Sequence, residues 1–429
     1  MKTSRSSLSR YAALIGLDWS DGKHDICLQI GESHRESLEL VHTPEGIDEW
    51  ARALRKRFGG KPVAVALELA KGPIVYALRK YEFFVIFPIN PATLAKYREV
   101  FTHSGAKDDP TDAELALEFL LKYPERLQPL NPQSPQMRAL QQLVEMRRRL
   151  VDDQTRITNR ITSALKNYFP HPLQWFADKD SHLFCDFLQQ WPTLKAARQA
   201  RRSTLERFFH EHNVRKSTLI AQRIDAIKSA LPLTEDEGVI RPFSLLVTVL
   251  AQQLRATLHA IEAFDHAIAE QAPAHPDFSI FDSFPAAGPV FAPRLLVAFG
   301  EQRERFPSAD DLQRYAGVAP VTERSGNSCW IHWRLQCPTF MRQTFVEWAA
   351  LTIPRSFWAA AYYEQQRSKG KSRQAALRAL AYKWIRILHR CWLTGQPYDE
   401  SRYLNALKKR GSPLLEHLAQ HPSTAQTPS

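Results

Sequence analysis

The sequence predicts three successive architectures: an α/β domain on a mixed sheet over residues 1–130, a long helical, coiled-coil arm over 131–272, and a mainly α region over 273–407. A polar tail, 408–429, is expected to be disordered. Three observations predict this. Strand-like apolar runs alternate with helical patterns near the amino terminus. From about Gln136 to Gln271 the apolar spacing is that of long helices. The stretch "APAHPD" then breaks the helix ahead of several shorter helical segments.

In the first region "YAALIGLDWS" reads as a short buried strand with an acid near its end. "HDICLQIG" alternates, with Ile26, Leu28 and Ile30 on one face, and "ESLELVHT" follows as a third strand. "PEGIDEWARALRKRF" has helical spacing through Ile47, Trp50 and Leu54. "KPVAVALELA" is again a strand, "GPIVYALRKY" a helix, "EFFVIFPIN" a buried strand, and "AKDDPTDAELALEF" the start of another helix. The order is β-β-β-α-β-α-β-α: a three-stranded meander and two βα crossovers, which close into a mixed sheet with helices on its faces.

In the arm, Leu143, Leu150 and Ile157 stand seven apart, and Ile161, Leu165 and Tyr168 continue the stripe. An antiparallel helical hairpin or a dimerising coiled coil fits that spacing. Arg147, Arg148, Arg149, Arg156, Arg160 and Lys166 fall on the remaining surface, and a second basic cluster runs "RQARRSTLERFFHEHNVRK". With a formal charge of +12 and a pI near 9.5, these are expected to meet the backbone of a nucleic acid rather than a lipid surface. No apolar run approaches the length of a membrane span, and the amino terminus lacks a signal-peptide core, so a cytosolic, nucleoid-associated protein is expected. Five scattered cysteines argue against disulfides. Cys329, His332 and Cys337 have no recognisable fourth ligand and no common finger spacing, so zinc is not expected there.

The chemistry resides in acids. Asp18 and Glu68 sit at the carboxyl ends of their strands, where ligands gather on such sheets. In "DPTD", Asp109 suits an N-cap, Pro110 the first helical position and Asp112 the helix dipole, so capping alone could explain that pair. Together, on a basic chain and on adjoining strand ends, the four carboxylates suit a pair of Mg²⁺ ions about 3.5–4 Å apart, as two-metal phosphoryl transfer needs.

"LIGLDWS", "VAVALELAKGP" and "AKDDPTDA" resemble the acidic motifs of the DEDD-type insertion-sequence transposases, the "IS one-ten" group that includes Piv-like DNA invertases. The resemblance implies an RNase H-like (RuvC-like) amino-terminal domain of the inferred element order. It assigns the four acids to Asp18, Glu68, Asp109 and Asp112, as Mg²⁺ ligands and candidate catalytic groups, and leaves Asp108 a bystander. In the third region "IFDSFPAAGPVFAPRLLVAFGE" resembles the family's Pro-Gly-x-Gly-Pro hairpin and helix, with Ala286 in place of the first glycine. "FPSADDLQRYAGVAPVTERSGNS" resembles the block before the family's nucleophilic serine, which implies Ser325 as the residue that links covalently to DNA; on its own "ERSGNS" is an ordinary surface turn. The resemblance further implies donor and target DNA, a structured guide RNA from the element itself, and dimers assembling into tetramers whose sites combine acids of one protomer with the serine of another. The rival readings are a RuvC-type junction nuclease that uses water and leaves Ser325 idle, and a non-catalytic nucleic-acid-binding relative.

Overall fold

The computed structural model describes residues 8–101, 109–412 and 414. The chain divides into two compact units, Met1–Pro132 and Gln133–Ser429.

The first unit runs β1 (Ala13–Trp19), β2 (Lys23–Ile30), β3 (His34–Val41), α1 (Pro44–Phe58), β4 (Val63–Leu67), α2 (Pro73–Leu78), β5 (Phe84–Pro88), α3 (Pro91–Phe101) and α4 (Asp109–Lys122). The sheet is mixed, in the order β3-β2-β1-β4-β5: β1 pairs antiparallel with β2 and parallel with β4, and β4 pairs parallel with β5. One helix exceeds the expected order. α3 grows from "PATLAKYREVF", in which only Leu94 and Tyr97 are fully buried among the described side chains, so its apolar stripe is too narrow to read as a helix. Its start does carry a readable signal: Asn90 accepts a hydrogen bond from the Ala92 N–H at 2.9 Å, and Pro91 follows it.

Period-two alternation sorts the strands onto two faces. Ile15, Leu17, Ile26, Leu28, Val63, Val65 and Leu67 pack beneath α1 and α2 through Ile47, Ala51, Leu54, Ile74 and Leu78. Leu14, Cys27, Ala64, Ala66 and Phe87 face the other way, against Leu94 and Tyr97 of α3 and Ala113, Ala116, Leu117 and Leu120 of α4. This second face is built from small residues for a reason. A Cβ on Gly16 would lie 2.0 Å from the Ala113 carbonyl oxygen and 2.5 Å from the Leu117 nitrogen, so the backbone of α4 rests directly on β1.

The second unit contains two long helices, α5 (Pro135–Leu165) and α11 (Glu237–Gln271), packed on one another within one chain. Ser134 caps α5, accepting from the Met137 N–H at 3.1 Å. Between them lie α6 (Pro172–Trp175), α7 (His182–Gln190), α8 (Leu194–Gln199), α9 (Arg202–Glu211) and α10 (Ser217–Ser229). Phe169, Phe184, Phe187, Phe209, Ile224 and Leu254 fill their common core. The stripe expected on α5 is displaced: Met137, Leu140, Val144, Ile161 and Leu165 are buried, whereas Leu143, Leu150 and Ile157 are half-buried. Two cores, one at each end of α5, take different residues of the same helix.

The rest of the unit comprises α12 (Phe278–Asp282), α13 (Gly288–Phe299), α14 (Ala309–Tyr315), the hairpin β6 (Val321–Ser325) and β7 (Ser328–His332), and α15 (Thr339–Thr352), α16 (Phe357–Ser368), α17 (Arg373–Thr394) and α18 (Glu400–Lys409). Ser308 caps α14, its Oγ accepting from the Asp311 N–H at 3.2 Å. Trp348, Trp358, Trp384 and Trp392 are fully buried, and three satisfy their indole N–H on Pro285 O, Tyr398 OH and Thr352 Oγ1 respectively: Trp348 at 3.0 Å, Trp358 at 2.8 Å and Trp384 at 2.9 Å. The small sheet β6–β7 is the one departure from a helical region that the sequence pattern did not announce.

Candidate active site

Asp18 is the sixth residue of β1 and Glu68 immediately follows β4; Leu17 pairs with Leu67, so the two acids occupy equivalent positions at neighbouring, parallel strand ends. Both are half-buried. By alternation Asp18 continues the face of Leu14 and Gly16, and Glu68 that of Ala64 and Ala66, which is the face α4 covers. The sheet thus brings these two acids onto one side, beside the helix that carries the other two.

α4 begins at Asp109, whose side chain lies outside the described residues, as do Lys107 and Asp108. Asp112, one helical turn further on, precedes the Ala113 whose carbonyl sits on Gly16. It is 2% exposed. Its Oδ1 accepts from Arg98 Nε of α3 at 2.7 Å, while Oδ2 is buried with no hydrogen-bond partner among the described residues. An ionised, buried carboxylate with one oxygen neutralised and the other orphaned is an electrostatically incomplete group. A divalent cation held by hard oxygen donors would complete it, so the donor set fits such an ion.

Two residues escaped sequence reasoning. Arg98 is the counter-ion of Asp112, and no local signal marks it because the pairing spans two helices. Asp25 pairs directly opposite Asp18 in the β1–β2 register, and is 8% exposed. Directly opposed residues share a face, so Asp25 adds a further carboxylate beside Asp18. The alternation in "HDICLQIG", with Ile26 and Leu28 on one face, already placed Asp25 on the other.

Ser325 lies in the other unit, at the end of β6. It pairs with Ser328 across a two-residue turn, Gly326-Asn327, in which Gly326 takes φ +56°. A glycine with positive φ at the first turn position is the type II′ pattern that matches strand twist. The hydroxyl stands on an exposed hairpin. Nearby Ile331 and Leu335 are 72% and 78% exposed, with Trp330 and Trp333 about half-exposed beside them. The candidate zinc group disperses around this hairpin. Cys329 is exposed opposite Arg324, His332 lies 3.2 Å from Glu323, and Cys337 packs on Gly317, where a Cβ would stand 2.3 Å from its Sγ.

The basic face of the arm is smaller than the arginine count implies. Arg147 pairs with Asp265 of α11, and Arg148 with Asp152 and with Glu347 of α15 at 3.2 and 3.1 Å. Arg294, buried in α13, reaches the same Glu347 at 2.9 Å, and burial lowers its pKa. These cations hold helices together. Arg156 pairs with Asp153, whereas Arg149, Arg160 and Lys166 present exposed side chains. A separate groove of about 810 Å³ is lined by Lys195, Arg198 and Arg241, by Glu235 and Glu237, and by the hydroxyls of Thr193, Thr234 and Ser244.

Residues 15–170 match the DEDD transposase family of IS110, described as "Transposase", and residues 279–364 match the family "Transposase IS116/IS110/IS902". The chain belongs to the IS110 family of transposases. It is 28% identical over 402 residues to the mini-circle putative transposase for IS117 of Streptomyces coelicolor, covering 90% of this chain and 95% of that protein. It is also 28% identical to the insertion element IS110 uncharacterized 43.6 kDa protein of the same organism, over 68% of this chain and 72% of the relative. A 29% match to the putative transposase y4uE of Sinorhizobium fredii covers 47% of the chain and 57% of that protein. The first family match contains all four acids and all of the five-stranded sheet but the first two residues of β1; the second contains Ser325. This IS110-family transposase is therefore an enzyme that cuts and rejoins DNA for an insertion sequence, and among its described residues no helix is long and apolar enough to cross a membrane.

Proposed function

We propose that this transposase is a Mg²⁺-dependent, site-specific DNA recombinase whose acids Asp18, Glu68, Asp109 and Asp112 form the metal site of an RNase H-like domain and whose Ser325 is the nucleophile. The observation that carries the reading is the seating of α4 on Gly16, which brings the turn bearing Asp112 against the sheet face that ends in Asp18 and Glu68. The orphaned Asp112 Oδ2 supports a cation there. When bound, Mg²⁺ would stabilise charge on the attacking and leaving oxygens. The chain's own part is to hold the carboxylates at fixed spacing on strand ends and a helix start, and Arg98 fixes the orientation of Asp112.

Ser325 Oγ would attack a backbone phosphorus. A phosphoserine bond forms, one deoxyribose oxygen leaves, and the serine proton is transferred to it, so the released end is a hydroxyl. A serine is a weak nucleophile until it is activated, and among the described residues the Ser325 hydroxyl is not hydrogen-bonded to a base. The acids of a second protomer would supply that activation, which supports a dimer or tetramer as the working form. A structured guide RNA would read sequence by base pairing while the protein grips backbone, a role to which Arg149, Arg160, Lys166 and the Lys195–Arg198–Arg241 groove are suited.

The deciding experiment traps the covalent intermediate. Ser325→Ala is expected to abolish the protein–DNA adduct and strand cleavage together. Cleavage that persists without an adduct would instead identify a water-using nuclease. Asp18→Ala is expected to lower strand cleavage by ~10³-fold or more, the several kcal/mol that metal stabilisation supplies. Unchanged recombination in that variant would refute the metal site. Sequencing nucleic acid that co-purifies at low salt tests the guide; recovery of no RNA would remove it.

A further inference from the structure

Away from the acids and the serine, three metal-ligating side chains converge on the helical arm. His182 begins α7, and His259 and Glu262 stand one turn apart on α11. One ligand atom from each lies within 4.8 Å of the others. Glu262 already bridges the two imidazoles: Oε1 is 2.9 Å from His182 Nε2 and Oε2 is 3.3 Å from His259 Nδ1. The rings face one another at 4.5 Å between centroids, tilted by 36°.

The helices beneath are rigidly placed. Phe184, Cys185 and Leu188 of α7 and Leu250 and Leu254 of α11 share one dry core, so the backbone positions do not depend on the surface cluster. The side chains themselves are 33%, 59% and 55% exposed, and can change rotamer and admit an ion from solvent. The hydrogen bonds to both imidazoles favour the ionised Glu262 carboxylate and lower its pKa. Two imidazoles and one carboxylate are a donor set for a borderline divalent transition ion, unlike the all-oxygen set of the acids in the other unit. The His-x-x-Glu pair on one helix supplies two donors on the same face.

We propose that His182, His259 and Glu262 form a transition-metal site for Zn²⁺ or a chemically similar ion, with water in the remaining position, that clips the start of α7 to the middle of α11. It is independent of the proposed recombination chemistry and would use a different class of ion.

The test uses the full-length protein after chelator treatment. Co²⁺ is titrated as a spectroscopic probe, and Zn²⁺ affinity is measured by competition with a chromophoric chelator. Wild type, Asp18→Asn and Cys329→Ser/Cys337→Ser are each expected to bind one equivalent at the arm, with the visible Co²⁺ bands of nitrogen–oxygen ligation. The double variant His182→Ala/His259→Ala is expected to bind at least ~100-fold more weakly, since loss of a direct ligand exceeds loss of an outer contact. Its circular dichroism should match wild type, because all three side chains are surface groups. Zn²⁺ should raise the melting temperature of wild type and not of that variant. Uptake that survives both histidine substitutions, or no competing uptake by wild type, would overturn the site.

Discussion

The two parts of the chain that carry the proposed chemistry are built in opposite ways. The acids of the first unit sit on strand ends and a helix start, walled by buried residues and by a helix backbone resting on a glycine. The serine of the second unit stands on a five-residue strand whose side chains, beyond Val321, are exposed. Carboxylates that must share an ion need fixed mutual distances, and a packed sheet provides them before any ligand arrives. A nucleophile that must reach a phosphodiester needs access first. The structural consequence is that substitutions near the acids should cost folding free energy, whereas substitutions around the serine should not.

The largest expected effect comes from Arg98→Ala. It leaves the buried Asp112 carboxylate without its counter-ion and should cost about 3–5 kcal/mol, read as lost hydrogen-exchange protection in β1, β4 and α4. Protection equal to wild type would show that the site is not pre-organised by that pair. Gly16→Ala follows at about 3 kcal/mol, because the new methyl meets helix backbone and not a yielding side chain. If α4 kept wild-type protection in that variant, the close seating of helix on strand would be wrong.

A third expectation concerns pH. His24 is fully buried, and burial, with a contribution from His42, lowers its pKa from 6.5 to about 4. The folded state therefore resists a proton that the unfolded chain accepts. Stability is fully present above pH 6.5 and falls as pH drops toward 4, by about 2–3 kcal/mol. Chemical denaturation of wild type and His24→Gln at pH 7 and pH 4.5 checks this; an equal pH slope in both would clear His24 of the effect.

In the second unit the effects are smaller. Ala286 occupies the left-handed region, φ +60°, at the position where the resembled hairpin has glycine. The strain is held in place because the preceding Pro285 carbonyl accepts from Trp348. Ala286→Gly should relieve it and stabilise by about 1 kcal/mol, visible as a raised melting temperature. On the hairpin, Ile331→Thr should change stability by less than about 0.5 kcal/mol, as exposed positions do. A cooperative loss of structure there would mean the hairpin packs against something in solution.

Much of this molecule was legible in its sequence. The strand-like runs "YAALIGLDWS" and "KPVAVALELA" placed Asp18 and Glu68 at strand ends, and the long apolar spacing announced α5 and α11. These signals are local, set by side-chain periodicity and by capping of orphaned backbone groups. Tertiary structure alone decided the rest. It put Leu17 beside Leu67 and Asp25 opposite Asp18, joined Arg98 to Asp112, turned Arg147 and Arg148 from surface charge into helix ties, and gathered His182 with His259 and Glu262. Strand register, ion pairing between helices and the convergence of distant ligands are long-range contacts selected by packing, and packing leaves no short-range trace in the chain.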